Sequence, residues 1–345
     1  MRKKQRLLST GSRRDGRIQK TFKDNLLHSF TRDKITMRSV LYFSIFFTLA
    51  FMTCAALPDA TSANTKVIAF AQDTMANDFR KAQVFEVRDA VAEHPKLEFT
   101  YSDAKGQTSL LIRQIEKFIA AEVDILIVGT NDADAVVPVI TKAHKKGIPV
   151  IILDRGINGT EYTIFINSDN IKIGAIGAQY IAERLNGKGT VLLFEGLQKA
   201  DVTQLRSKGF LDEIKQYKEI KVIKRTGNYL RKDAIIEMEK LIADEIHIDA
   251  IFSESDSMLS GVRSALIRHK KDPTKIIMVG CDYTGEAQEA IRKGTQTGSV
   301  LFPLGGHKSV EIALKILKGE KVPRHIFIPV ELVTQENVND VPPIF

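Results

Sequence analysis

The chain has 345 residues, enough for two domains of ordinary size, with a formal net charge of +8 and two cysteines. The charge does not belong to the body: residues 1–36 hold eleven Lys/Arg against three Asp/Glu, and from Met37 onward 39 basic residues face 39 acidic ones. A neutral body excludes nucleic-acid binding on electrostatic grounds, and one cysteine left after a leader excludes a disulfide framework.

Met37-Arg38-Ser39 opens a second start, followed by the uncharged apolar block Val40–Met52 and small residues ending Ala60-Thr61-Ser62-Ala63. A basic start, an apolar stretch and a small-x-small exit make residues 37–63 a secretory signal peptide, with cleavage after Ala63 and export to the periplasm as the expectation. Residues 1–36 read as an upstream extension outside the translated protein. The alternative is an uncleaved anchor, since Ser39–Pro58 is about long enough to span a bilayer. Lipid attachment at Cys54 is disfavoured by Thr53 before it.

From Lys66 strands and helices alternate. Val67–Ala71, Leu97–Tyr101, Asp124–Val128 and Val150–Leu153 are strand-like, with helix-periodic segments Phe79–Glu93, Ser109–Ala121 and Ala133–Lys146 between them. The pattern restarts with helix Asn170–Leu185, strand Thr190–Phe194, helix Gln204–Tyr217, strand Lys221–Arg225, helix Lys232–Asp244, strand Ile248–Phe252, helix Ser257–His269 and strand Ile276–Gly280. Repeated βα units predict two doubly wound parallel sheets in series. No Pro/Gly/Ser-rich linker separates them: Tyr162–Asn167 is itself strand-like, and a strand (Gly298–Phe302) and helix (His307–Lys318) follow the second lobe. If these return to the first lobe, the chain crosses several times and forms a hinge beside a cleft.

Open α/β sheets bind ligands beyond the carboxyl ends of their strands. The buried run Val150–Leu153 ends there in Asp154-Arg155, a carboxylate beside a planar fork of donors. That combination suits a neutral polyhydroxyl ligand, whose every OH gives and accepts; the competing reading is a solvated ion pair. Catalytic signatures are missing: no Gly-x-Ser-x-Gly, no His-Glu-x-x-His, no phosphate loop, and Asn131-Asp132-Ala133-Asp134 reads as a helix cap rather than a calcium loop. No cofactor, metal or enzymatic activity is expected.

Eight pieces in register resemble one family: Asn77-Asp78-Phe79-Arg80, Asp132–Ala135, Gly147–Val150, Leu153-Asp154-Arg155, Ser168-Asp169-Asn170, Arg206–Phe210, Gly280-Cys281-Asp282 and Leu317–Val322. Together they resemble the periplasmic sugar-binding proteins of the ribose-binding and galactofuranose-binding type, from Lys66 to about Thr334. The resemblance implies an α/β protein of two doubly wound lobes joined by a multi-crossing hinge, the type I periplasmic binding protein fold, with lobes at 66–168 plus 301–324 and 169–300 plus 325–345. It implies a monomer that closes on one monosaccharide and hands it to an ABC permease, or, as the alternative, informs a chemoreceptor or membrane histidine kinase.

The resemblance also implies a ligand set. Phe79 corresponds to an aromatic packed on a sugar face, and Arg80 matches galactofuranose binders where ribose binders carry a second aromatic. Asp154 and Arg155 match the pair gripping hydroxyls, Arg206 the second-lobe arginine, Tyr229 a second-lobe aromatic and Asp282 an acid after its strand. Ser255 and Asp256 stand where the family often has Asn, although either could simply cap the following helix. Gly129 and Cys281 depart from ribose binders, and Asp73 is an additional candidate acceptor. Replacing Asp154 by Ala is expected to weaken binding and leave folding intact.

Overall fold

The computed structural model describes residues 65–345; the upstream extension, the signal segment and Cys54 lie outside the described residues. Two six-stranded sheets form the body. The first runs in the order β11-β5-β4-β3-β1-β2 and is parallel throughout, from β1 (Lys66–Gln72), β2 (Leu97–Asp103), β3 (Ile125–Gly129), β4 (Val150–Leu153), β5 (Ile164–Ser168) and β11 (His325–Ile328). Every residue of β3 and β4 is buried, as expected of β-branched strands covered on both faces. Helices α2 (Thr108–Ala120) and α3 (Val137–Lys145) cover one face through Leu111, Ile115 and Ile140. Helices α1 (Asp78–Ala92) and α9 (Gly306–Leu317) cover the other through Val84, Val87 and Val310.

The second sheet runs β12-β10-β9-β8-β6-β7, built from β6 (Lys188–Glu195), β7 (Glu219–Thr226), β8 (Ala250–Ser253), β9 (Ile277–Asp282), β10 (Gly298–Leu301) and β12 (Glu331–Thr334). It is parallel except for β12, which pairs antiparallel with β10. Helices α4 (Asn170–Arg184) and α5 (Asp201–Ile214) cover one face; α6 (Arg231–Ala243) and α7 (Asp256–Arg268) cover the other. The short α8 (Gly285–Arg292) and the strands β11 and β12 are elements that sequence periodicity did not bring out. Helix α8 spans only eight residues, and neither β11 nor β12 carries the continuous buried run of Val, Ile and Leu that marks β3 and β4.

The chain passes between the sheets three times: from β5 into α4, from β10 into α9, and from β11 into β12. The last crossing corrects the expected lobe boundary. Residues 325–328 form the edge strand of the first sheet, His325 pairing with Phe165, so the chain returns to the second sheet only after Ile328. Burial alternates along β11 but residue type does not, since the exposed Phe327 stands between Ile326 and Ile328 and leaves no polar-apolar alternation to read. Among the described residues no helix is long and apolar enough to cross a membrane.

Candidate functional site

In both sheets the strand ends carry the polar residues. Asp73 follows β1, Thr130 follows β3 and Asp154-Arg155 follow β4; Glu254 follows β8, and Asp282 ends β9. These carboxyl ends meet across a closed cleft. The Arg155 guanidinium lies over the Tyr229 ring at 5.3 Å, Asn77 Nδ2 donates to the Tyr229 carbonyl at 2.7 Å, and Gly156 N donates to Asp201 Oδ2 at 2.8 Å. On one lip Ser257 Oγ donates to Asp78 Oδ2 at 3.0 Å and Arg231 reaches the same oxygen at 3.4 Å.

The first-lobe half is an arginine-carboxylate cluster. Asn77 caps α1 by accepting from Arg80 N, which fixes the first turn and turns Arg80 inward. Arg80 is 1% exposed; its Nη1 meets Asp154 Oδ2 at 2.9 Å and Gln83 Oε1 at 3.1 Å, and its Nη2 donates to the Thr130 carbonyl at 3.2 Å. Arg155 Nη1 donates to Asp73 Oδ2 at 3.2 Å. Asp73 Oδ1 and Arg80 Nε approach to 3.4 Å, but neither makes an aligned hydrogen bond. Burial and the neighbouring Arg155 lower the affinity of Arg80 for its proton, and Asp73 and Asp154 oppose that shift, so the guanidinium stays charged. Asp154 sits at φ +70°, the left-handed region that Asp tolerates better than most residues, and this turns its carboxylate back over α1.

Gly129 explains one departure from ribose binders. A Cβ there would stand 2.3 Å from Gln72 Oε1, so the glycine makes room for the buried Gln72 side chain. Gln72 Nε2 donates to Gln83 Oε1 at 3.2 Å, and Gln83 Nε2 donates to the Leu304 carbonyl in the β10–α9 crossing at 2.8 Å. The support of Arg80 thus reaches the hinge.

The second-lobe half centres on Arg206, 2% exposed, which donates from Nε to Asn170 Oδ1 at 2.8 Å and from Nη1 to the Glu254 carbonyl at 2.7 Å. Asp212 on the same helix is held by Lys208 and Lys215. The Phe302 ring meets both the Arg206 guanidinium, at 4.6 Å, and the Phe79 ring, stacked at 5.1 Å and 15°. Phe79 therefore packs on an aromatic of a crossing segment. Tyr229, at φ +61°, shares a 2.7 Å hydrogen bond with Thr203 Oγ1 and donates to Glu254 Oε2 at 3.3 Å. Asp282, at φ +102°, is buried near Arg206; burial pushes its carboxyl well above the usual range, against the pull of that arginine.

Phe79, Arg80, Asp154, Arg155, Arg206, Tyr229 and Asp282 thus lie on the facing halves of the cleft. Ser255 and Asp256 do not present free groups to it. Ser255 Oγ caps α7 by accepting from Met258 N, and Asp256 Oδ1 accepts from Gln296 while Oδ2 accepts from Tyr283 N and Ser299 Oγ. Burial raises the Asp256 carboxyl to about 6 even so. The sequence reading left out Asn170, Gln83, Glu254, Thr203 and Phe302. Glu254 directly follows a strand end and Asn170 stands two residues past one, positions that could have flagged them.

Comparison with known proteins agrees with this architecture. A family model described as a periplasmic binding protein domain matches residues 68–321. The ribose import binding protein RbsB of Bacillus subtilis is 30% identical over 68% of this chain and 76% of its own length. A putative rhizopine-binding protein of Rhizobium meliloti is 31% identical over 68% of this chain and 79% of its own. Among solved structures, an ABC transporter solute binding protein from Bacillus halodurans with bound myo-inositol superposes with a TM-score of 0.76 at 28% identity, covering 81% of this chain and 98% of that one. The fructose-binding periplasmic domain of a hybrid two-component system gives 0.75 at 26% identity, covering 80% and 92%. With its two lobes, three crossings and strand-end cleft, the chain belongs to the periplasmic binding protein family, whose members bind solutes rather than catalyse reactions.

Proposed function

We propose that the protein is exported and binds a neutral monosaccharide between its lobes, closing by the hinge and delivering the sugar to an ABC permease. One observation carries this reading. Among the described residues eight buried side-chain polar atoms make no hydrogen bond, and four of them, Asp73 Oδ1, Arg80 Nε, Asp154 Oδ1 and Arg155 Nε, belong to the cleft cluster. Two acceptors and two donors buried side by side suit hydroxyl groups that accept and donate in turn, and leaving such atoms unpaired costs about 1–3 kcal/mol each. The charges balance locally, Arg80 and Arg155 against Asp73 and Asp154, which favours a neutral ligand over an anion. Phe79, Arg80, Asp154, Arg155, Arg206, Tyr229 and Asp282 form the proposed contact set, with Asp73 added.

A thermal-shift screen of D-ribose, D-fructose, L-arabinose, D-fucose, myo-inositol and D-galactose tests it, because a ligand bound only by the native state raises the melting temperature. A rise with one of these neutral compounds supports the proposal. A response confined to sugar acids or sugar phosphates, run beside these compounds, overturns it. A second reading, sensing rather than transport, is favoured by the likeness to the fructose-binding domain of a two-component system. Pull-down of a membrane kinase or chemoreceptor in place of a permease decides for it.

A further inference from the structure

Behind Tyr229 the second lobe holds a chain of polar groups that the sugar cleft does not require. Ser207 Oγ lies 2.8 Å from Glu195 Oε1 and 2.9 Å from Glu254 Oε1. A serine hydroxyl has one proton, so it donates to one of these carboxyl oxygens and must accept from the other. Two ionised carboxylates would leave one oxygen facing the hydroxyl oxygen with no proton between them. One carboxyl is therefore neutral.

The surroundings assign the proton. Glu195 Oε1 meets Lys224 Nζ at 3.0 Å and lines a surface cavity of about 710 Å³ together with Ser207, Thr203 and Lys224, so a cation and a solvent-facing cavity lie against its carboxyl. Glu254 is fully buried, with no cation against its carboxyl oxygens; Arg206, on α5, bonds only its backbone carbonyl. Its Oε2 accepts from Gly196 N at 2.8 Å and from Tyr229, which leaves Oε1 to carry the proton toward Ser207. Burial, the first cause, and the charge of Glu195 raise the Glu254 carboxyl to about 7, against the pull of Gly196 N, Arg206 and Ser207. Two other titratable groups sense Glu254, Tyr229 and, on β9, Cys281, and burial pushes both of them up.

We infer that Glu254 is a proton site of the second lobe, a positioning residue that in its neutral form holds Tyr229 against the cleft and exchanges its proton with solvent through Ser207 and Glu195. The path runs from the back cavity, past Lys224, to the ring that faces Arg155. Ionising Glu254 gives Ser207 two anionic neighbours and loosens the shelf under Tyr229. The inference rests on the sugar-binding reading only for its consequence in binding; the proton itself does not depend on it.

The test follows the carboxyl by infrared difference spectroscopy of the purified protein without added sugar, between pH 5 and pH 9. A neutral-acid carbonyl band should vanish with a midpoint near pH 7 and be absent from Glu254→Gln, whose amide oxygen serves Gly196 and Tyr229 and whose amide N–H serves Ser207. Over the same range hydrogen exchange of the segment around Tyr229 should rise at least about fivefold beyond the intrinsic pH effect in the wild type and not in Glu254→Gln. The variant also separates Glu254 from the other buried carboxyls, Asp256 and Asp282. A band that persists unchanged in Glu254→Gln, or equal exchange in both proteins, overturns the inference. Failure of every sugar in the screen would overturn the transport reading and leave the infrared result standing.

Discussion

Replacing Asp154 separates its structural duty from its proposed ligand duty. In Asp154→Ala the buried Arg80 loses the 2.9 Å partner of Nη1 and keeps Asp73 only at 3.4 Å, without an aligned hydrogen bond. Breaking a buried ion pair by removing one member costs about 3–5 kcal/mol, and the surviving Asp73 brings this down to about 2 kcal/mol. The backbone adds to it, because alanine at φ +70° pays about 1 kcal/mol that Asp or Asn largely avoids. The total of about 3 kcal/mol corresponds to a fall of about 6–12 °C in melting temperature for a body of this size. Asp154→Asn keeps the left-handed tolerance and an acceptor oxygen and should fall by only about 2–4 °C. This revises the sequence expectation that the alanine variant leaves folding untouched. Both variants should weaken binding of the sugar found in the screen by about 10–150-fold, the value of one charge-assisted hydrogen bond of about 1.5–3 kcal/mol. Circular-dichroism melting and titration calorimetry read the two effects. Equal melting temperatures for Asp154→Ala and Asp154→Asn would refute the argument from the buried pair and the backbone, and wild-type affinity in either would remove Asp154 from the ligand set.

Asp78→Ala, at a half-exposed lip, should leave the melting temperature unchanged and weaken apparent affinity by no more than about fivefold, since exposed ion pairs are worth about 0–1 kcal/mol; a larger loss would mean that Asp78 touches the ligand. Gly129→Asn should expel Gln72, release Gln83 and lower both stability and affinity; a variant that binds ribose better than wild type would refute the packing account. Small-angle scattering should show a smaller radius of gyration with saturating ligand than without, and an identical profile would argue against hinge closure. Mass spectrometry of the protein recovered from its host should find an N-terminus near Asn64, whereas a membrane-bound chain retaining Val40–Met52 would establish the anchor.

The central strands were legible because Val, Ile and Leu fill them, and the longer helices because each spans enough turns for its period to register. The Asp154-Arg155 pair was legible for a related reason: a charge pair at the end of an apolar strand has few structural excuses. What sequence could not convey was partnership. Asp256 and Asp282 look alike as acids beside a strand, yet three hydrogen bonds absorb Asp256 inside its lobe, while Asp282 is buried near Arg206. The same holds for Phe79, whose stacking partner Phe302 lies more than two hundred positions away. For Glu254 the strand-end position was readable but not the partnership, a single Ser207 hydroxyl shared with Glu195.

The placement of β11 bears on how the molecule is made. The edge strand of the first sheet pairs with β5 from roughly half a chain away, and the next strand completes the other sheet. Neither sheet can be finished until nearly the last residue is available. A chain with such distant pairings folds slowly, because loop closure must precede the contacts that reward it. Under the export proposed above, that delay would keep the precursor extended while it is moved, and the native topology would form once the final strands are across.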